Sequence, residues 1–206
     1  MSVKVKICGI TNASDALAAV AAGADALGLM FVESSPRKIS LEAAREIVRQ
    51  LPQFVLRVGV FVNASAAAVQ QAVVECGLNG LQFHGDETPE YCQQFSGMTM
   101  KAFRVRDAAT LSALPLYHTQ AFLLDSYVAG KPGGTGEKFN WDLAVEAKRV
   151  GKPIFLAGGL TPENVAEAVR QVQPYGVDVS SGVETSPGRK DLARVRDFIA
   201  AAKQTG

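Results

Sequence analysis

A cysteine at position 8, an aspartate at 125 and two glycine-bearing turns, Gly158-Gly159 and Ser181-Gly182, are residue types that together can move protons on an anionic substrate. Cys8 ends the run "VKVKIC", residues 3–8, two positions beyond Lys6, and in an extended strand those two side chains share a face. A cation there lowers a thiol below its usual value of about 8.5 and makes it partly thiolate, hence a base. A second reading stays open, because free cysteine is among the most buried residue types and a lone one also serves as packing. Asp125 ends the apolar run "AFLLD", 121–125, where burial favours the neutral acid, a proton donor near neutral pH. Capping, or pairing with a loop cation, is its alternative.

The glycine turns suggest an anion grip. Gly158 and Gly159 precede a helix expected to be capped by Thr161 with Pro162 at its first position, and Ser181 with Gly182 follow the last strand candidate. Both turns can direct backbone N–H groups at a phosphate, the second with the N-terminal end of a following helix; tight turning alone is the alternative for each. Arg37, in "ESSPRKIS" with Pro36 stiffening the loop, can hold a ligand carboxylate bidentately or simply be solvated. His84 can contact ligand, orient a neighbour or make a structural hydrogen bond, whereas His118 reads as surface. The segment "SYVAGKPGGTGEKFNW", 126–141, is long and glycine-rich, which suits a mobile cover; its "GGTG" lacks the full phosphate-loop pattern.

These residues can meet only if the fold gathers them. Eight β-rich runs alternate with helical patterns: 3–8, 25–31, 55–62, 80–84, 100–105, 121–125, 153–158 and 176–181. Ser40 before "LEAAREIVRQL" reads as an N-cap, and no strand hairpin signal is evident. Eight βα units predict an α/β chain folded as a single (β/α)8 TIM barrel, one catalytic domain over residues 1–206. Active sites of that fold lie at the C-terminal ends of the strands, and its phosphate site follows strands seven and eight. The rule collects Cys8, His84, Asp125 and both glycine turns on one rim.

Strand alternation sets Val3, Val5 and Ile7 against Lys4, Lys6 and Cys8, Leu81 and Phe83 against Gln82 and His84, and Val177 and Val179 against Asp178 and Ser180. Apolar faces should meet the helices and polar faces line the interior. An isolated buried charge is prohibitively expensive, so Lys6 is expected to pair with Asp178 on the neighbouring strand.

Composition narrows the partners. The 206 residues are 48% hydrophobic with a net charge of +1, which offers no footprint for nucleic acid or an anionic membrane. The N-terminal segment has no signal-peptide apolar stretch and no run spans a bilayer, so a cytoplasmic location is expected. Cys8, Cys76 and Cys92 lack paired spacing, which suggests reduced thiols and no metal site. A small-molecule substrate and a monomeric chain are the expected partner and state.

"KICGIT" (6–11), "SPR" (35–37), "GVFVN" (59–63), "LQFHG" (81–85), "LLDS" (123–126), "GGTGEKFNW" (133–141), "LAGGLTPENV" (156–165) and "DVSSGVETSPGRKD" (178–191), in this order, make the whole chain resemble the phosphoribosylanthranilate isomerase family of tryptophan biosynthesis. The resemblance implies an Amadori rearrangement of N-(5-phosphoribosyl)anthranilate to 1-(2-carboxyphenylamino)-1-deoxyribulose 5-phosphate. It implies Cys8 as general base, Asp125 as general acid and Arg37 facing the anthranilate carboxylate. A protonated imine is the electron sink, so neither metal nor organic cofactor is expected. A two-phosphate aminoaldose isomerase would be expected to use a carboxylate base, and a metal-dependent epimerase would need more histidines than this chain has. A non-catalytic phospholigand barrel would have no use for Cys8 or Asp125.

Overall fold

The computed structural model describes residues 2–126 and 141–204. Eight parallel strands close into one barrel in sequential order: β1 (Lys4–Cys8), β2 (Ala26–Met30), β3 (Leu56–Phe61), β4 (Gly80–Phe83), β5 (Met98–Val105), β6 (Ala121–Ser126), β7 (Ile154–Leu156) and β8 (Gly176–Val179). β1 pairs with both β2 and β8, and the register sets Lys6 beside Asp178 and Cys8 beside Gly28. Around this barrel run α1 (Ala13–Ala21), α2 (Leu41–Arg49), α3 (Ala66–Cys76), α4 (Pro89–Cys92), α5 (Ala108–Leu111), α6 (Trp141–Ala147), α7 (Val165–Val172) and α8 (Leu192–Lys203). Because every strand is parallel, all the C-terminal ends open on one rim.

Local chemistry starts and stops the helices. Ser40 Oγ accepts from the Ala43 N–H, as the sequence predicts, and Asn12, Ser65, Thr88 and Asp191 act alike at their helices. Thr161 is a correction. Residues 162–164 form a turn and α7 begins at Val165 after Asn164, whose Oδ1 accepts from the Thr161 N–H at 2.8 Å. The Thr161 carbonyl receives the N–H groups of Asn164 and Val165, so this threonine heads an irregular turn rather than the helix itself.

Strand alternation divides the core. Val5, Ile7, Leu27, Leu29, Phe61, Phe83, Phe122, Leu124, Ile154, Leu156, Val177 and Val179 belong to a large apolar layer shared with the helices. Inside the barrel the expectation of a polar lining holds for β1, β4 and β8 only. On β5, β6 and β7 the interior is a separate apolar cluster of Met100, Ala102, Ala121, Leu123, Phe155 and Ala157. Gly176 leaves room for the Phe155 ring, which comes within 2.4 Å of where a Cβ would stand. The interior therefore keeps its charges, Lys6 and Asp178, on β1 and β8, away from the oily cluster of β5, β6 and β7.

Two further differences concern the ends of the chain's βα units. The segments after β4 and β5 carry only the four-residue helices α4 and α5, shorter than the sequence pattern implies. After β8 comes a single 3₁₀ turn, Ser181–Val183, and then a small antiparallel hairpin, β9 (Glu184–Ser186) and β10 (Arg189–Lys190). The Pro187-Gly188 turn that makes this hairpin was readable as a turn signal, but its strands are too short to show periodicity.

Candidate active site

At the base of the site Lys6 is wholly buried, and its Nζ lies 2.8 Å from Asp178 Oδ1, the predicted pair. Cys8 stands one step up the same strand face, close enough for its sulfur and the Lys6 ammonium to interact electrostatically. Burial opposes the Lys6 charge, but Asp178 and Cys8 outweigh it and hold the ammonium above its ordinary value. Cys8 corrects the expectation of a partly ionised thiol. It is 2% exposed, and burial pushes the thiol up further than the charges of Lys6 and Lys190 draw it down, with Asp178 adding to the rise. The resting residue is a protonated thiol with two cations ready to favour its thiolate.

Arg37 arrives over this strand from the loop after β2. Gly9, at φ +76°, has no Cβ because the Arg37 Cδ would stand 2.5 Å from one and Ser180 Oγ 2.9 Å. The guanidinium, expected to be free for ligand, is already forked: Nε and Nη2 donate to Glu184 at 2.9 and 2.6 Å. Glu184 is held below its usual carboxylate range; burial opposes this, and the bonds from Arg37 and Lys190 prevail. Lys190 Nζ, with no exposed side-chain surface, lies 2.7 Å from Glu184 Oε1, the oxygen that also accepts from Arg37 Nε. Burial draws Lys190 below its ordinary value against that pairing.

Across the barrel, His84 and Asp125 come together. His84 Nε2 is 3.3 Å from Asp125 Oδ2, and Gln82 Nε2 lies 2.9 Å from His84 Nδ1. Asp125 keeps 17% of its side-chain surface exposed, so it is less enclosed than the apolar run before it suggests. Gln82 is almost fully buried, and its Oε1 has no partner among the described residues.

Between these two clusters, along the shorter arc of the ring from β6 through β7 and β8 to β1, stand the glycine turns. Gly158 and Gly159 both take left-handed backbone angles, φ +83° and +67°. Gly182 packs directly on the turn after β7, since a Cβ there would lie 2.0 Å from the Leu160 carbonyl oxygen. Among the described residues, the backbone N–H groups of Gly159, Ser181 and Gly182 meet no protein acceptor. Donors left open at adjacent turns suit an anion. The cover segment expected at 126–141, with Lys131 and Lys138, lies outside the described residues apart from its ends.

Sequence reasoning named Cys8, Arg37, His84, Asp125, Gly158, Gly159, Ser181 and Gly182, and the fold brings all of them to the rim. The strand-end rule also placed "SSGVE", 180–184, on the rim without giving Ser180 or Glu184 a role, and it left out Lys190 and Gln82. Ser180 Oγ is buried without a partner among the described residues. Among the described residues no group of three or more histidine, cysteine or acidic side chains is placed to hold a metal ion, and no helix is long and apolar enough to cross a membrane.

Residues 5–201 match the family model described as N-(5'phosphoribosyl)anthranilate (PRA) isomerase. A curated relative from Citrifermentans bemidjiense, an N-(5'-phosphoribosyl)anthranilate isomerase, is 58% identical over 201 residues, covering 98% of this chain and 97% of its own. The phosphoribosyl anthranilate isomerase of Thermotoga maritima superposes with a TM-score of 0.94 at 42% identity, over 98% of this chain and 99% of that one. A second solved structure, of such an isomerase with reduced 1-(o-carboxyphenylamino)-1-deoxyribulose 5-phosphate, gives 0.89 at 40% identity over 98% and 99%. A third, covering 98% and 99% at 40% identity and a TM-score of 0.89, is of mutually generated monomers of the dimeric Thermotoga maritima protein.

Proposed function

The chain belongs to the N-(5'-phosphoribosyl)anthranilate isomerase family, and on that premise we propose that Cys8 and Asp125 carry the isomerisation as general base and general acid. The protein is an isomerase of tryptophan biosynthesis that converts phosphoribosylanthranilate to the deoxyribulose phosphate. The observation that carries the residue assignment is the arrangement on the rim. Cys8 ends β1, Asp125 stands in β6, and the open N–H groups after β7 and β8 lie on the arc between them. A substrate phosphate seated there puts the sugar between thiol and carboxyl.

Asp125 gives its proton to the furanose ring oxygen as the C1–O bond breaks, and the anilino nitrogen lone pair forms the C1=N iminium. Cys8 as thiolate then takes the C2 proton; the C–H electrons form the C1=C2 bond and the iminium electrons return to nitrogen. The Asp125 carboxylate then takes the proton of the enol oxygen and the Cys8 thiol returns its proton to C1, which leaves the C2 ketone and restores both groups. Asp125 thus acts on oxygen and Cys8 on carbon, with no net proton change. Lys6 and Lys190 supply the positive potential that the thiolate needs in a buried place. His84 orients Asp125, and Arg37, held by Glu184, faces the anthranilate carboxylate.

No bond in this scheme needs a metal or an organic cofactor. Residues 1–206 act as one catalytic domain in the cytoplasm, and because the site residues named above come from one chain, a monomer suffices for activity. Loss of phosphoribosylanthranilate fluorescence on adding the protein tests the turnover, and sedimentation at the assay concentration tests the monomer. Absence of turnover by the purified, folded chain would sink the assignment of acid and base together.

A further inference from the structure

Glu184 and Lys190 face each other in register across the hairpin β9–β10, and together with Arg37 they form a nearly dry triad. The side chains of Glu184 and Lys190 keep 4% and 0% of their surface, against 18% for Arg37. Glu184 Oε1 accepts from Lys190 Nζ at 2.7 Å and from Arg37 Nε at 2.9 Å, while Oε2 accepts from Arg37 Nη2 at 2.6 Å. One carboxylate is thus shared by two cations, and the group as a whole carries a single positive charge. Without Lys190, Arg37 and Glu184 would be a neutral pair, and an incoming carboxylate would meet Glu184 as much as Arg37.

The rest of the Lys190 environment ties the triad to the reacting groups. Its Nζ donates to the Cys8 carbonyl at 2.6 Å and the Ser180 carbonyl at 3.3 Å, and its backbone N–H donates to Asp15 Oδ2 at 2.9 Å. The hairpin turn is seated against the loops after β1 and β2: a Cβ at Gly188 would lie 3.0 Å from Thr11 Cγ2 and 3.8 Å from the Pro36 carbonyl oxygen. A buried lysine is a costly way to peg two loops together, since apolar packing does that without desolvating a charge.

We propose that Lys190 is a positioning residue that sets specificity for the substrate carboxylate: it compensates Glu184, which can then hold the Arg37 fork without cancelling the charge Arg37 presents. This rests on the reading of Arg37 given above. A structural peg would affect every ligand alike, whereas charge compensation matters only to a ligand bearing the carboxylate.

The test titrates folded variants by calorimetry at low salt with two ligands, the reduced carboxyphenylamino-deoxyribulose phosphate and the same compound without its aromatic carboxyl. Lys190→Met is expected to weaken the first about tenfold or more and the second less than about threefold, as for loss of one charge-assisted contact. Adding Glu184→Gln to Lys190→Met is expected to restore most of the loss, because Arg37 is no longer neutralised. Equal weakening of both ligands, or none, overturns the proposal. The double variant buries no unpaired carboxylate and serves if Lys190→Met does not fold: it must keep the carboxylate preference within about threefold of wild type, and loss of that preference also overturns it. Arg37→Met separates the two layers. If it leaves the preference intact, the reading of Arg37 fails; if it abolishes the preference while Lys190→Met does not, only the role of Lys190 fails.

Discussion

His84 Nε2 stands 3.3 Å from Asp125 Oδ2 and so joins the ends of β4 and β6 across the strand between them. Gln82 Nε2 lies 2.9 Å from His84 Nδ1, and with the amide as donor there the imidazole carries its proton on Nε2, facing Asp125. Asp125→Asn is expected to lower kcat by about 10²- to 10⁴-fold with folding intact. Truncating His84 to alanine removes the hydrogen bond that meets the charge Asp125 develops as it gives up its proton, and is expected to lower kcat about 10- to 100-fold. Steady-state kinetics on both variants decides it, since a larger loss at His84 would make the histidine the acid.

The thiol predicts its own pH dependence. Burial raises Cys8, so its thiolate is a minor form at neutral pH and grows about tenfold per pH unit from 7 to 9. The rate of iodoacetamide modification at Cys8, followed by peptide mass, should rise with that slope and be blocked by the reduced product. Cys92, pushed up to about 11 by burial, is the internal comparison, and the reduced product should leave its modification unchanged. A flat profile at Cys8 would mean an already ionised thiol. Cys8→Ala should cost kcat about 10²- to 10⁴-fold.

Lys6 and Asp178 must be read as a pair. Lys6→Met strands a carboxylate that keeps only 10% of its side-chain surface, and is expected to destabilise the fold by about 3–5 kcal/mol in urea. Replacing both with apolar residues, Lys6→Met with Asp178→Leu, should return stability to within about 1.5 kcal/mol of wild type. Thiol modification at Cys8 should remain slow in the repaired variant, because the cation beside the sulfur is gone. Recovery of wild-type reactivity there would remove Lys6 from the mechanism.

At Gly182 the prediction is geometric. A methyl group 2.0 Å from the Leu160 carbonyl oxygen must push the turns after β7 and β8 apart. Gly182→Ala is therefore expected to raise KM and to abolish competition by inorganic phosphate, with kcat less affected. Undiminished phosphate inhibition would place the anion elsewhere on the rim.

Glu184 makes the triad sensitive to acid. Its pKa in the folded protein lies below the ordinary 4.5, so its pairing stabilises the fold above that pH and the benefit is lost as pH falls through the depressed value. Glu184→Gln should therefore be less stable than wild type near neutral pH, with the gap closing below about pH 4.5. A gap that persists unchanged in acid would show that charge is not what Glu184 contributes.

Much of this was readable before any coordinates. Strand count and alternation announced the barrel, and the Lys6–Asp178 pair followed from neighbouring strands and the expense of a lone buried charge. What stayed hidden has physical reasons. The state of Cys8 depends on a contest between burial and two cations, one of them 182 positions away. Glu184 and Lys190 sit on strands of three and two residues, too short for periodicity to register. The apolar half of the interior escaped because Met100, Ala102, Leu123 and Phe155 look, in sequence, like any other core residues.

Gly28 lies beside Cys8 on the next strand, and a Cβ there would fall 2.6 Å from Sγ. The niche that the sulfur fills is thus moulded by a residue with no chemistry of its own. Any exchange of the thiol for a carboxylate or imidazole base meets the same wall, and can gain room only toward the open mouth. Variation at position 8 is therefore conditional on position 28: a lineage that enlarges residue 28 gives up the thiol's seat, and one that keeps glycine there leaves the choice of base open.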